Sequence, residues 1–424
     1  MNKNNKLTKS ELAWILYDVG NSAFTMLACS LVTIWFKDIA TGNGLDPGLQ
    51  TSYWAYVTGC VTLFVAFIGP VCGAIADNKG FKKPIFTVAL LIGVLGCMML
   101  GFITNWLAFL LVFIITKTAY SSSLVFYDSM VTDVTTPERM DEVSSYGFAW
   151  GYIGSCLPFL ICLLAYVAGE GMLGPSLAAI ISRKTARIIG FMVTAIWWLL
   201  VTIPLLKTYE QKYYVESTKG AIKEAFSNLY HTIVDIFKHD KKVRYFLLAF
   251  FLYIDGVNTI IDNAINVGTD LNLDTVGQVV FLLATQVVAF VFSLIFSRLS
   301  RKYETGTLIK VCIFGYLCVS IYALTLTTLW QFGIMAFGIG MFQGSIQALS
   351  RAYYGKIIPA EKSGEYFGIY DIFSKGASFV GSFLLGFVKM MTGKITIAVG
   401  SLAIFFLLGL ILFNKVDKLQ RKEH

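Results

Sequence analysis

The sequence predicts an all-α membrane protein in which twelve transmembrane helices form two pseudo-symmetric six-helix bundles. Three observations lead to this prediction. The 424 residues are 56% hydrophobic and only 14% charged, whereas soluble domains carry about 25% charged residues. The apolar residues fall into runs that are each long enough to cross a bilayer. One polar segment divides these runs into two groups of six.

The predicted spans are separated by short polar loops. They cover 12–37, 51–76, 84–104, 106–132, 144–169, 186–206, 243–267, 275–299, 307–327, 329–352, 365–389 and 394–414. Residues 207–242, between the sixth and seventh spans, are polar and mixed in charge. We therefore predict an N-terminal half (1–206), a cytoplasmic central loop (207–242) and a C-terminal half (243–424).

The central loop contains one segment, Ala221 to Phe237, with apolar residues near helical spacing. This pattern is typical of an amphipathic helix on the membrane face. It is equally typical of a plain helical linker.

Basic residues concentrate in the loops on one side of the predicted bundle. Most of the 34 Lys and Arg residues are cytoplasmic when the N-terminus is placed inside, so the positive-inside rule predicts that both termini are cytoplasmic. The group Arg183, Lys184 and Arg187 is the exception. The same bias explains the net charge of +8, and we expect no nucleic-acid partner.

No group of residues typical of catalysis or metal binding stands out. The eight cysteines form no CxxC pair, and His231 and His239 lie in the central loop. There is no P-loop and no ATPase domain. We therefore expect no enzyme activity, no metal and no cofactor, so that any transport draws on a gradient. The expected partners are the lipid bilayer and a small-molecule substrate, and we expect a monomer.

Spans 1 and 7 each carry a polar pair behind a tyrosine. A carboxylate within a span costs roughly 2.5–3.5 kcal/mol, so it should face protein or water. We expect the two spans to face each other across a pathway. The residues are Tyr17, Asp18 and Asn21 in span 1, and Tyr253, Asp255 and Asn258 in span 7.

The polar residues of span 7 continue along one helical face. Asp255, Asn258, Asp262 and Asn266 stand at i, i+3, i+7 and i+11, a stripe about 16 Å long. One interpretation is a wet face where a carboxylate binds a cation, an amine or a proton. The other is a structural polar seam between helices.

Span 4 places a lysine near the middle of the membrane. Lys117 could be a counter-charge for Asp18 or Asp255, a site for an anionic group, or part of a structural ion pair. A lysine and an aspartate on facing spans suit a zwitterion. The polar residues of this span are Lys117, Tyr120, Ser121 and Asp128.

Spans 10 and 11 supply further candidates. Gln343 and Gln347 offer donors and acceptors for a neutral polar group. Arg351 is expected to pair with an acid such as Glu365 or to extend to the membrane surface. Asp371 and Lys375, four residues apart, are expected to pair with each other, with a gating role as the alternative.

The loop after span 2 resembles the loop signature of the major facilitator superfamily, G-x-x-x-D-[RK]-x-G-[RK]-[RK], from which Asn78 departs. Its glycines permit close helix approach and a tight turn, and its aspartate can accept hydrogen bonds from a helix end. We expect this loop to form a cytoplasmic gate together with Arg351. Its residues are Gly73, Asp77, Gly80, Lys82 and Lys83.

A closer resemblance is to the vacuole effluxer-like family of that superfamily, which is named for a fungal autophagy-related protein. It rests on 16–24, 147–154, 253–258, 343–351 and 364–370, with Val19 and Gly20 departing from the pattern. The resemblance implies the major facilitator fold, transport and, in fungi, export of amino acids from a vacuole. We expect a plasma (inner) membrane location for a bacterial chain and a vacuolar one for a fungal chain.

The leading functional hypothesis is a secondary active transporter that moves an amino acid or similar zwitterion by alternating access. Proton coupling through Asp18, Asp255 or Asp262 fits, because protonation removes the cost of burying a carboxylate. One alternative is an exporter of an amphiphile or drug, which a lateral apolar opening would favour. Another is a receptor or scaffold that does not transport.

Overall fold

The computed structural model describes residues 6–174, 176, 180–216 and 221–423, and this part of the chain is helical almost throughout. Eleven of its helices are long and apolar enough to cross a membrane, or twelve when one bent pair counts as a single span. The predicted all-α membrane fold is therefore confirmed. The helices are α1 (Lys9–Ala28), α2 (Leu31–Gly42), α3 (Pro47–Ala76), α4 (Lys82–Leu100), α5 (Trp106–Ser129), α6 (Val131–Val134), α7 (Met140–Gly169), α8 (Arg183–Thr208), α9 (Ala221–Lys238), α10 (Lys241–Asp270), α11 (Thr275–Leu299), α12 (Thr305–Tyr322), α13 (Leu329–Ile357), α14 (Ser363–Thr392), α15 (Ile395–Ser401) and α16 (Ala403–Glu423).

The first predicted span is not one straight helix. It comprises α1 and α2, which meet at an angle of 40°. At the break, the Ser30 hydroxyl donates to the Met26 carbonyl oxygen at 2.6 Å, and the Ser30 backbone leaves the helical region. Serine can satisfy a backbone carbonyl in this way, which permits a bend inside an apolar run. The hydrophobicity pattern gives no signal for the bend.

The same buried hydrogen bond occurs once in each half of the bundle. The Tyr17 hydroxyl of α1 lies 2.6 Å from the Ser123 hydroxyl of α5. The Tyr253 hydroxyl of α10 lies 2.6 Å from the Ser350 hydroxyl of α13. Both tyrosines are fully buried. The pairs thus place α1 and α5 in the same relation as α10 and α13, as expected of pseudo-symmetric halves.

A glycine three residues after each tyrosine repeats the pattern. Gly20 lies against the Trp198 backbone of α8, and Gly256 lies against the Phe406 ring of α16. A β-carbon on either glycine would crowd these neighbours. Close packing therefore fixes α8 on α1 and α16 on α10 through the same position of the repeat.

The two halves are joined by ion pairs at one end of the bundle, the end that holds residues 77–83, 138–142, 298–305 and 356–365. We call it the closed end. In the part of the chain that the structure describes, every ion pair between the halves lies at or near this end. Those at its rim join Asp141 to Lys356 at 2.6 Å and Glu142 to Arg301 at 2.5 Å.

The segment after α8, Tyr209–Glu216, lies across the closed end, and we call it the strap. Asp133 holds it, because one carboxylate oxygen accepts from the Lys212 and Tyr213 backbone amides at 2.9 and 3.0 Å. The Tyr209 hydroxyl donates to the other oxygen at 2.6 Å. Val215 exchanges backbone hydrogen bonds with Asp77 and Lys79. The Asp133 carboxylate is therefore buried beneath the strap.

The helix predicted in the central loop is present as α9. It packs against α3 and α10, and Thr232 and Ile236 on it are buried. One face of α9 therefore lies on the bundle itself. The side chains of 221–228, which include part of the predicted apolar pattern, lie outside the described residues.

Candidate functional site

A single arginine from the second half joins two carboxylates of the first half. Arg351 on α13 donates to Asp18 of α1 at 3.2 Å and to Asp128 of α5 at 2.9 Å. Its Nε donates to the Ser144 hydroxyl of α7 at 2.9 Å. That hydroxyl in turn donates to the Ala348 carbonyl oxygen at 2.7 Å. We call Arg351, Asp18, Asp128 and Ser144 the arginine lock.

Aromatic rings enclose the arginine side of the lock. The guanidinium lies 4.5 Å from the Trp14 and Phe148 ring centroids and 5.3 Å from that of Tyr127. The arginine is buried, so these rings supply cation–π contacts in place of water. With both carboxylates ionised, the lock carries one negative charge in excess.

The lock differs from the sequence-based expectation for Arg351 and for Lys117. Arg351 neither pairs with Glu365 nor extends to the surface, and it provides the counter-charge for Asp18, which was one of the roles considered for Lys117. Sequence gives no indication of this pairing, because Asp18 and Arg351 lie 333 residues apart. Ser144, Trp14 and Phe148 were not predicted to be functional, since a serine and two aromatics in spans look like ordinary packing.

We expected Asp18 and Asp255 to face each other across a pathway, but the structure shows that they do not. When Tyr17 is placed on Tyr253 in the repeat, Asp18 falls on Ile254 and Asp255 comes one residue later. One residue rotates a helix position by about 100°. Asp18 therefore faces α13, whereas Asp255 faces α14 of its own half and accepts from the Gly381 amide at 2.9 Å.

Tyr17 and Tyr253, which we predicted as pathway residues, are fully buried in the Tyr–Ser pairs. Asn21 donates to the Asp18 carboxylate at 3.3 Å and so helps to hold the lock. Asn258 is half-buried, and Asn266 is exposed and donates to Asn263 at 3.2 Å. The predicted polar stripe on α10 is thus exposed at its Asn266 end and buried at Asp255.

Lys117 and Asp262 come from different halves and do not form an ion pair with each other. Asp262 on α10 is exposed and Lys117 on α5 is half-buried. They interact electrostatically, but no carboxylate oxygen of the described residues lies within ion-pairing distance of the Lys117 ammonium. That ammonium lies 4.8 Å from the Tyr120 ring centroid and 5.7 Å from that of Phe24.

The remaining predicted pathway residues lie on α5 and α13. The Tyr120 hydroxyl is hydrogen-bonded to Thr25, and Ser121 beside it is buried. Gln343 is buried and interacts with Tyr152 of the first half. Gln347, one turn further along α13, is half-buried.

The expected local pair on α14 is present. Lys375 donates to the Asp371 carboxylate at 2.6 Å. Asp371 also lies close to Gly69 of α3, so the pair is at the interface between the halves. Both groups are partly buried.

The loop after α3 joins the closed end as expected of a gate. Asp77 accepts from the Gly364 and Glu365 backbone amides at 2.7 and 2.9 Å, which are donors at the start of α14. Gly73 approaches the Gly364 carbonyl so closely that a β-carbon would overlap it. We call Gly73, Asp77, Gly364 and Glu365 the latch.

Basic residues of the same loop connect the latch to the strap. Lys82, fully buried, lies 3.5 Å from both Asp77 and Asp133 and donates to Ser363 at 2.8 Å. Lys83 donates to the Tyr209 carbonyl oxygen at 3.3 Å. Gly80, whose φ is +78°, donates its amide to the Gln211 side chain at 3.0 Å, in a backbone conformation that favours glycine.

The latch should respond to pH through Asp77. Burial raises the pKa of this carboxyl to about 6 from its usual 3.8, against the opposing effects of Lys82 and the two amides. Because the pKa of Asp77 is higher in the folded protein than in the unfolded chain, this carboxyl stabilises the fold fully at low pH. That stabilisation is lost as the pH rises through about 6. Relative to Asp77→Asn, wild type should lose up to about 3 kcal/mol of unfolding free energy between pH about 4 and 7.

Melting temperatures of both proteins across this pH range test the prediction. A constant difference between wild type and D77N would show that the carboxyl does not titrate in the folded protein.

An apolar groove of 660 Å³ lies between α3, α4 and α5. Its lining on α5 includes Ile115, Ala119, Ser122 and Phe126, which follow each other at helical spacing on one face. Lys117 lies on a different face of the same helix. An apolar molecule in this groove would therefore not touch the charges between the halves.

Comparisons with known proteins agree with this architecture. Residues 48–424 match the family described as "Vacuole effluxer Atg22 like". The chain is 37% identical to "Uncharacterized MFS-type transporter YxiO" of Bacillus subtilis, over 97% of this chain and 96% of that protein. It is 26% identical to "Autophagy-related protein 22-1" of Neosartorya fischeri over 68% of this chain, and it spans about half the length of that fungal relative.

Solved structures show the same fold at low identity. The major facilitator transporter FucP in the outward conformation superimposes with a TM-score of 0.73 at 15% identity, covering 96% of this chain and 98% of FucP. A bacterial homologue of the iron transporter ferroportin in an outward-facing state gives 0.70 at 13% identity, covering 97% and 98%.

Proposed function

Because the chain belongs to the Atg22-like vacuole effluxer family of major facilitator transporters, we propose that it moves a small zwitterion, an amino acid or close analogue, by alternating access coupled to protons. The two halves, 1–206 and 243–424, are the moving units, and 207–242 links them. The protein is a multi-pass membrane transporter, and we infer cytoplasmic termini from the positive-inside rule.

The observation that supports a zwitterion is the open pair of charges formed by Lys117 and Asp262. They come from different halves, interact electrostatically and are not joined directly. A solute with both charges could bridge them, its carboxylate on Lys117 and its ammonium on Asp262. Such a solute would satisfy both protein charges at once, and this favours binding of the whole zwitterion over either half of it.

The arginine lock supports alternating access. It joins α13 of the second half to α1, α5 and α7 of the first, so the closed end cannot open while it is intact. By the positive-inside rule the closed end faces the cytoplasm, which places the exposed Asp262 in communication with the other side of the membrane. An exporter would pass through the opposite state, with the lock broken, to load its solute.

The apolar groove does not support export of an amphiphile through the same site, because it lies on another face of α5. A receptor without transport would not require charges from two separate halves around a shared space. Both alternatives predict no uptake of amino acids by the purified protein.

Substituting Lys117 tests the zwitterion proposal. In proteoliposomes, Lys117→Gln should weaken uptake of radiolabelled amino acids about 10- to 150-fold, because a charged hydrogen-bond partner is worth about 1.5–3 kcal/mol. In this variant, unlabelled leucine and its decarboxylated amine, isopentylamine, should compete equally well with the labelled amino acid. In wild type, leucine should compete better than the amine. Asp262→Asn should impair leucine as well.

The matched control is Lys37→Gln, an exposed lysine of α2, which should transport as wild type does. Absence of uptake across a full panel of amino acids by folded wild type would overturn the proposed substrate class. Equal preference for leucine and the amine in wild type would remove Lys117 from the binding site.

A further inference from the structure

Asp255 is a buried carboxylate whose two oxygens have different surroundings. The side chain is fully buried in the middle of α10. One oxygen accepts from the Gly381 amide of α14 at 2.9 Å and from the Thr259 hydroxyl at 3.3 Å. The other oxygen is buried and has no hydrogen-bond partner. A buried acceptor without a partner is costly, and a buried negative charge is more so.

Asp255 also lacks the positive partner that Asp18, Asp128 and Asp371 have. Arg351 forms ion pairs with Asp18 and Asp128, and Lys375 forms one with Asp371. Among the described residues no basic side chain forms an ion pair with Asp255.

The helices packed against α10 are α9, α11, α13, α14, α15 and α16. Several of their charged groups are paired with other residues. Asp262 is two turns away on α10 itself. The titratable groups on the packed helices include Lys375 and Asp371 on α14, Arg351 on α13, Asp417 on α16 (paired with Lys310), Arg298 on α11, and Asp235 and His231 on α9.

We propose that Asp255 binds the proton that is coupled to transport. The proton resides on the free oxygen and makes the group a neutral acid, while the other oxygen keeps its two donors. Release to solvent leaves a carboxylate, which requires that water reach a site that is sealed in the present state. Movement of α14, which carries Gly381, away from α10 would open it. This inference rests on the proposed transport function for its meaning, but the bound proton can be detected without transport.

Infrared difference spectroscopy of the purified protein tests the proposal directly. Wild type minus Asp255→Asn should show the carbonyl band of a protonated carboxylic acid at neutral pH. Asp270→Asn, on the same helix but ion-paired with Lys389, is the matched control and should leave the band in place. Absence of the band from the wild-type minus D255N spectrum would overturn the proposal.

A second variant covers the case in which D255N does not fold. Thr259→Val keeps the acid but removes one donor to it, so the band should shift without disappearing. An unshifted band in T259V would assign the proton to another group.

A comparison of sodium chloride with choline chloride distinguishes a bound proton from a bound sodium ion at Asp255. Replacing choline chloride with sodium chloride should leave the band unchanged if the site takes a proton. Loss of the band on adding sodium would overturn the proton assignment.

A transport assay tests whether Asp255 couples transport to protons. In proteoliposomes with radiolabelled leucine, an imposed pH gradient should drive accumulation in wild type, and in D255N accumulation should no longer follow the gradient. If leucine is not a substrate, both proteins fail alike, and the infrared result still decides the proton site. If D255N accumulates leucine with the gradient as wild type does, Asp255 is not the coupling site.

Discussion

Arg351→Gln is expected to have the largest effect of any single substitution in this chain. It leaves Asp18 and Asp128 as neighbouring carboxylates in a largely buried site without a cation. Removing one partner of a buried ion pair typically costs about 3–5 kcal/mol. Because the lock exists only when the closed end is shut, most of this cost should fall on that state. We expect a lower melting temperature and a widened closed end.

Double electron–electron resonance between spin labels at Glu138 and Tyr303, exposed residues on the two sides of the closed end, measures the widening in a cysteine-free background. The triple variant R351Q/D18N/D128N is the matched comparison, since it removes all three charges and should recover part of the stability. If R351Q keeps the wild-type distance, the lock does not control closure. If the triple variant is no more stable than R351Q, unpaired charge is not the cause of the lower stability of R351Q.

Gly73→Ala is expected to open the closed end by steric overlap. The added β-carbon would collide with the Gly364 carbonyl, and a backbone atom cannot turn aside as a side chain can. Overpacking costs about 1–3 kcal/mol, which is about a 5- to 150-fold shift toward the open state. The same pair of spin labels should report a longer mean distance, and the melting temperature should fall less than in R351Q.

Gly59→Ala on the same helix is the control for Gly73→Ala. A β-carbon there meets no atom within 4 Å, so its effect should be limited to the small gain of alanine over glycine in a helix. Equal distance distributions in G73A and G59A would show that the Gly73–Gly364 contact yields without opening the halves.

Local patterns were sufficient to predict the helices. Each of the twelve predicted spans overlaps a helix of the structure, because a run of apolar residues has one low-energy arrangement in a bilayer. The bend at Ser30 was missed, since a serine hydroxyl can stabilise a straight helix or a bent one.

The site was only partly predictable. The acids of spans 1, 4 and 7 stood out because charge is rare in membrane spans, and the gate loop stood out by its spacing. Partners could not be assigned, since Arg351 joins residues that are 223 and 333 positions away. Asp255 and Asp18 looked equivalent by spacing, and only the Tyr–Ser pairs reveal that they differ by one position in the repeat.

That offset has a consequence for what each half can do. The Tyr–Ser hydrogen bonds and the glycines beside them are the same in both halves, whereas the acids differ by one position along the helix. Two identical chains would have to place the same acid in the same surroundings twice. Within one chain, one acid can belong to the interface between the halves and the other to a sealed site inside its own half. A single chain can thus give its two halves different roles, which a symmetric pair could not do.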